Sequence, residues 1–293
     1  MSESTTCRFT HLAACPDPGR TAHRMRSTSM PTLSLFDAHR APRPLPEQPR
    51  GITSRLQSQG LATIEGLTTR TAVLALAQRV MRLEPHRDSD SDELTTIQDI
   101  GRRSQQSGLG GLGNGELLPH TERSSEPHPP RLMLLVCLRP ATTGGEVILT
   151  DGQAVHGYLA ERSPAALEAL TLPNTVFYGD GGGHPSQVFT RHPGQRTSIR
   201  LRQDSLAAFS PLISGYLPQL RQAINAVQQR LTLEAGQGYL IDNYRWLHAR
   251  TAFTGNRVCL RALGTPRFPM PIGFPQVAPS QVHTPAAVGG GTP

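Results

Sequence analysis

Apolar residues along this chain switch between two periods, and the switches outline a β core carrying a few helices. Leu61, Ala62 and Ile64 in GLATIEGL (60–67) predict a short strand after a turn. From Ala72 to Leu83 the apolar residues Val73, Leu76, Ala77 and Val80 fall at helical spacing and predict a helix. RLMLLVCLRP (131–140) is almost continuously apolar between prolines, the pattern of a strand buried on both faces. GGEVILTDG (144–152), TVFYGD (175–180), TSIRLR (197–202), GYLIDN (238–243) and RVCLRAL (257–263) predict five further strands. Ser163-Pro164 has the cap and first-turn proline of a helix start. Leu220, Ile224, Val227 and Leu231 make the stretch from Leu217 to Leu231 an amphipathic helix. Many short strands with two or three helices predict a mainly β fold with flanking helices, a double-stranded β-helix or jelly roll. No internal repeat is visible.

The segments between these elements are polar or glycine-rich. HRDSDSDE (86–93) predicts a solvated acidic loop, and SQQSGLGGLGNGE (104–116), with five glycines, a mobile one. Residues 1–50 are rich in Pro, Ser, Thr and Arg and predict a loosely ordered leader. Residues 266–293 form a Pro/Gly-rich tail, which leaves 51–265 as a single jelly-roll domain.

Composition narrows the function classes. At 37% hydrophobic and 17% charged residues the chain is globular in character, and no run of 18 apolar residues predicts a membrane span. Leu12-Ala13-Ala14-Cys15 has the form of a lipoprotein cleavage box, but polar residues precede it, and a cytoplasmic protein is expected. Of Cys7, Cys15, Cys137 and Cys259, none forms a CxxC pair. Cys137 and Cys259 sit in apolar runs and read as buried thiols. The net charge of +7 comes from 29 basic residues, all arginine and spread along the chain, without the clustering or module of a nucleic-acid binder. The expected partner is a small molecule, with monomer or homo-oligomer left open.

Two His-x-acid pairs occur, where 11 histidines and 22 acids supply about one by chance. His86-Arg87-Asp88 opens a run of acids and serines with no apolar strand leading in, and reads as surface loop. His120-Thr121-Glu122 follows GELLP and precedes the buried strand at 131. Residues two apart in an extended chain point the same way, so His120 and Glu122 can reach one metal. His248 follows the strand GYLIDNYRWL. Two imidazoles and one carboxylate hold non-haem Fe(II) on one face and leave the other positions open. The same set suits zinc, so a zinc-dependent hydrolase is the alternative reading, and a non-catalytic small-molecule-binding jelly roll is a third. In RVCLR, strand alternation puts Arg257, Cys259 and Arg261 on one face. Inward arginines need anionic partners, and a dicarboxylate gripped by two parallel hydrogen bonds supplies one.

HTERSSEPHPPRLMLLVCLRP, then TGGEVILTDG, and later GYLIDNYRWLHARTAFTGNRVCLR resemble the Fe(II)/2-oxoglutarate oxygenases of the taurine dioxygenase and clavaminate synthase-like family over roughly residues 55–265. The resemblance implies iron ligands at His120, Glu122 and His248, with Arg257 on the distal carboxylate of 2-oxoglutarate and Arg261 on co-substrate or substrate. It implies Fe(II), 2-oxoglutarate and O2 as cofactor and co-substrates, and a catalytic role for the three metal ligands. The activity implied is oxidation of an unactivated C–H bond in an amino-acid-like molecule, by hydroxylation, desaturation or cyclisation, within specialised metabolism. Asp204 and Gln98 are candidate substrate contacts, Asp180 a weaker one, and segment 104–116 a candidate lid. Relatives carry a threonine where Val147 stands, and Thr150 or Thr143 are its candidate substitutes.

Overall fold

The computed structural model describes residues 34–41, 50–101, 108–180 and 182–276. Two antiparallel sheets face each other, and the strands that carry the apolar runs form both of them. The larger has six strands: Leu61–Ile64, Gly238–Asp242, Leu132–Arg139, Val258–Pro266 and Met81–Leu83 in spatial order, with Thr95–Ile97 also paired to Val258–Pro266. The smaller runs Gln229–Leu231, Val147–Asp151, Trp246–Arg250, Leu117–His120. This is the double-stranded β-helix expected from the strand pattern, mainly β with helices outside.

Strand alternation sorts side chains into an inner and two outer layers. Met133, Leu135, Cys137, Tyr239, Ile241, Cys259 and Leu263 of the large sheet meet Val147, Leu149, Leu231 and Trp246 of the small sheet in one buried cluster. Their sequence neighbours Leu132, Leu134, Val136, Leu240, Leu260 and Ala262 turn outward against the helices Arg50–Gln59 and Arg70–Val80. Leu247 turns the other way from Trp246, into a cluster with Val155, Leu159, Leu220 and Ile224 of the helices Gly152–Arg162 and Leu217–Val227. Coverage on both faces explains why Leu132–Arg139 is apolar at nearly every position.

Several boundaries differ from the sequence expectation. The helix expected over 72–83 spans Arg70–Val80, capped by the Thr69 hydroxyl, and Met81 onward pairs as a strand with the end of Val258–Pro266. The helix expected to reach Leu231 stops at Val227, because Gln229–Leu231 adds an edge strand to Val147–Leu149. Gly152–Arg162, capped by the Asp151 carboxylate, was hidden from periodicity by its glycines at 152 and 157. Most of the leader and the end of the tail lie outside the described residues, Cys7 and Cys15 with them. Within the leader, Phe36 is buried, its carbonyl accepts from Thr63 Oγ1 at 2.6 Å, and Arg40 bridges to Thr63. Within the tail, Phe274 is buried and pairs with Thr197. An aromatic anchor ties each segment down despite its polar composition. No helix among the described residues is long and apolar enough to cross a membrane.

One sheet-crossing turn positions the site. Gly238–Asp242 belongs to the large sheet and Trp246–Arg250 to the small one, so the turn between them carries the chain across the sandwich. Two ion pairs hold that turn: Arg131 grips Asp242 at 2.6 and 2.9 Å, and Arg245 grips Asp151 at 2.9 and 2.7 Å. Both are largely buried, where a planar guanidinium matched to a carboxylate adds geometric definition.

Candidate metal centre and co-substrate pocket

The strand Leu117–His120 lies beside Trp246–Arg250, and their register places His120 directly opposite His248. The two imidazole rings stand 4.2 Å apart, tilted by 39°. His120 donates its Nδ1–H to the Leu118 carbonyl at 2.7 Å, which leaves Nε2 unprotonated and free to act as a ligand. His248 Nε2 is sealed from solvent and has no hydrogen-bond partner among the described residues, a costly state for a buried polar atom without a ligand. Glu122 Oε2 lies 3.7 Å from it. One ligand atom from each of His120, Glu122 and His248 falls within 4.8 Å of the others.

The segment after His120 is pinned from several sides. Thr121 N–H donates to the Leu201 carbonyl at 2.8 Å. Glu122 N–H donates to Asn243 Oδ1 at 2.7 Å, and Asn243 Nδ2 returns bonds to the carbonyls of Glu122 at 3.0 Å and Pro130 at 2.9 Å. Asn243 therefore locks Glu122 to the turn that leads into the strand presenting His248. Arg123 then takes a left-handed conformation, φ 52°, which turns the chain away once the ligand pair is placed.

Electrostatics favour the metal-binding protonation states. Burial, reinforced by neighbouring His120, holds His248 down at about 3, and burial lowers His120 as well, so both imidazoles are neutral. Burial alone raises the Glu122 carboxyl, but Arg261 and the histidines outweigh it and bring it to about 2. Arg261 Nη1 donates to Glu122 Oε1 at 3.0 Å.

A cavity of about 640 Å³ opens over these groups. Arg257 lines it, is 5% exposed, and has no carboxylate partner among the described residues. Its guanidinium lies 5.7 Å from the centre of the Phe253 ring, and that of Arg250 lies 4.8 Å from the same ring. Gly145, at φ +72°, makes room for this arrangement: a Cβ there would lie 3.1 Å from Arg257 Cδ and 3.2 Å from Phe253 Cβ. Arg250 donates to the carbonyls of Gly111, Gly113 and Gly115 at 3.3, 2.7 and 2.7 Å. Burial, then repulsion from Arg257, lowers Arg250 to about 10.

The remaining candidates divide. Arg261 and Arg257 both line the cavity, Arg261 from the strand Val258–Pro266 and Arg257 from just before it. Asp204 lines it too, but Arg202 already grips both of its carboxylate oxygens. Gln98 is a correction: it is exposed, and its neighbour Ile97 is the residue that turns inward. Asp180 is exposed and accepts from Gly182 N–H in its own turn. Neither threonine substitute reaches the pocket. Thr143 is exposed and bonded to Thr254, and Thr150 alternates with the inward-facing Leu149, whereas Val147 itself lines the cavity. His86-Arg87-Asp88 is also corrected, since these residues line the cavity mouth and His86 is half-buried. The acidic loop folds back because Arg70 bonds Asp90 and Asp92. In the glycine-rich segment, residues 102–107 lie outside the described residues, and the part from Gly110 to Gly115 is fastened by Arg250.

Sequence reasoning missed Asn243, Arg250 and Tyr239. Arg250 carried a signal, because alternation from His248 puts it on the same inward face of a fully buried strand. Asn243 carried none, since its role depends on a partner 121 residues away.

Similar proteins share the fold that carries this site. An asparagine oxygenase solved with Fe(II), 2S,3S-3-hydroxyasparagine and succinate superposes with a TM-score of 0.61 at 17% identity, over 73% of this chain and 78% of that one. The non-heme iron oxygenase OrfP, solved with Fe, succinate and (3S)-hydroxy-L-Arg, gives 0.60 at 15% identity, over 75% and 82%. At these identities the likeness establishes the fold. Dioxygenase str8 of Strobilurus tenacellus is 29% identical over 139 residues, 43% of this chain and 32% of that protein. The gamma-butyrobetaine dioxygenase of Homo sapiens is 25% identical over 157 residues, 47% and 40% of the two chains. The matched region thus spans well under half of either relative. Residues 36–263 match the model of the family described as Taurine catabolism dioxygenase TauD, TfdA family, a span that holds all three ligand candidates and both pocket arginines, and the chain belongs to that family.

Proposed function

We propose that the chain is an Fe(II)/2-oxoglutarate-dependent oxygenase that oxidises an unactivated C–H bond of a small amino-acid-like molecule, with hydroxylation as the expected outcome. The observation that carries this reading is the pairing of a two-histidine, one-carboxylate cluster with a buried arginine that has no carboxylate partner among the described residues, both lining one cavity. The catalytic domain is assigned to residues 51–265, extended by the anchors at Phe36 and Phe274.

The donor set fits iron: two neutral imidazole nitrogens and one ionised carboxylate on one side, with the opposite side open to the cavity. When bound there with 2-oxoglutarate and O2, the metal supplies the oxidising power for C–H cleavage. His120, Glu122 and His248 hold it. Arg257 binds and orients the far carboxylate of the co-substrate through a forked pair of hydrogen bonds. Arg261 keeps Glu122 ionised and fixes one of its oxygens, Oε1, by a hydrogen bond. The apolar walls Leu135, Val147 and Leu206 exclude water. A zinc hydrolase would leave Arg257 without a role.

The charges at the mouth support a zwitterionic substrate. Arg87 with Asp88, Arg123 with Glu126, and Arg202 with Asp204 set alternating signs around the opening, which complements an ammonium and a carboxylate carried by one molecule. The two solved neighbours hold hydroxylated asparagine and arginine, in line with that class. The test is a panel of free amino acids and their simple derivatives incubated with Fe(II), 2-oxoglutarate and O2. The expected result is a product that gains one oxygen atom for each succinate formed. No product from any zwitterion, beside turnover of a substrate lacking an ammonium group, would overturn the substrate class.

A further inference from the structure

We propose that Tyr239 supplies the hydroxyl that, together with Arg257, holds the distal carboxylate of 2-oxoglutarate. The inference rests on the oxygenase reading above. Tyr239 lies on the large sheet opposite Leu135, which in turn lies opposite Arg261, so the three form one cross-strand row on the inner face. Its side chain is 2% exposed and lines the cavity, yet its hydroxyl makes no hydrogen bond to any described residue. A tyrosine O–H ordinarily finds a partner, and this one is not among the polar atoms sealed from solvent: it opens to the cavity, where a ligand can accept from it. The charged and polar groups it feels most strongly are Arg257 first, then Cys259, Glu122 and Arg261. The phenol therefore sits within the field of both the unpaired guanidinium and the metal-ligand carboxylate.

The donor on the opposite wall is Arg250, across from Val147, and its terminal nitrogens are engaged by the carbonyls of Gly111, Gly113 and Gly115. Val147 is the inward residue there, Thr150 lies on the other face of its strand, and Thr143 is exposed. Burial raises the pKa of Tyr239 above its ordinary value, so the group stays a neutral O–H and can donate to an anion. A dianion with one end at the metal and the other at Arg257 would meet this hydroxyl and gain a charge-assisted hydrogen bond.

The test compares the Fe(II)-loaded wild-type protein with Tyr239→Phe under anaerobic conditions, reading 2-oxo acid binding from the charge-transfer absorption of the iron complex rather than from turnover. Phenylalanine keeps the ring and removes the oxygen. The expected result is at least about a tenfold loss of affinity for 2-oxoglutarate, with affinity for 2-oxobutyrate, which lacks the distal carboxylate, unchanged. Equal 2-oxoglutarate affinity in both proteins would overturn the role of Tyr239 and leave the oxygenase reading intact. A parallel loss for 2-oxobutyrate would show a general disturbance of the pocket and overturn it equally. Wild-type protein that binds iron but neither oxo acid would remove the oxygenase reading, and this inference with it.

Discussion

Asn243→Ala is the substitution that most sharply separates a scaffold role from a metal-positioning role. The side chain is 1% exposed and makes three hydrogen bonds, two to the backbone of Glu122 and one to the Pro130 carbonyl. At about 1 kcal/mol each, their loss destabilises the fold by roughly 3 kcal/mol, and more if the Glu122 amide stays dry and unpaired. The second consequence is chemical. With its anchor gone, the Glu122 carboxylate can shift relative to His248 by an amount the opposed strands no longer limit, and such supporting contacts are worth about ten- to a hundredfold in metal affinity. The assay pairs urea unfolding of the metal-free protein with titration by Fe(II) or Co(II). Both quantities should fall in Asn243→Ala. Asn243→Asp should fall further in stability, since it sets an acceptor against the two carbonyls that now receive the amide protons. Unchanged metal affinity in a destabilised Asn243→Ala protein would refute the positioning argument and leave Asn243 as packing alone.

The other predictions concern neighbouring groups. Arg257→Ala should weaken 2-oxoglutarate binding by at least about a hundredfold, the worth of a buried forked ion pair, while metal affinity measured by titration is retained. Arg250→Met should release the carbonyls of Gly111, Gly113 and Gly115, seen as faster hydrogen exchange over residues 108–116; protection equal to wild type would show that the segment is held by other contacts. In the metal-free protein, His248 falls from 6.5 to about 3 on folding, so the unfolded chain binds the extra proton. Stability should therefore be full above pH 6.5 and decline as pH drops toward 3, with Glu122 adding to the loss from 4.5 down to about 2. A denaturation midpoint that rises through that window on acidification would reverse the sign and contradict the neutral-imidazole assignment.

The strands and the pairing of His120 with Glu122 were legible in the sequence because each is written in local spacing. The run 131–140 carries its two-sided burial in its own composition, and His120 and Glu122 share a face by strand geometry alone. Arg257 and Arg261 were readable for the same reason. What the sequence concealed depended on contacts between distant segments. His86 looked solvated because its own loop is acidic, and only the grip of Arg70 on Asp90 and Asp92 turns that loop toward the cavity. Gln98 failed by one position, since alternation hands the inward place to Ile97. Tyr239 read as an apolar strand residue, and its hydroxyl, with no partner among the described residues, became visible only beside Arg257, which lines the same cavity from just before the strand Val258–Pro266.

The central claim is that the three ligands and Arg257 form one iron and 2-oxoglutarate site. It is tested most directly by following 2-oxoglutarate decarboxylation in the wild-type protein loaded with Fe(II) or with Zn(II), beside His120→Ala and Arg257→Ala. The account requires O2-dependent succinate formation by the Fe(II) protein, none with Zn(II) or His120→Ala, and recovery of Arg257→Ala only at much higher 2-oxoglutarate. Succinate formation that persists in His120→Ala, or an Fe(II) protein that leaves 2-oxoglutarate untouched across the whole substrate panel, would contradict it.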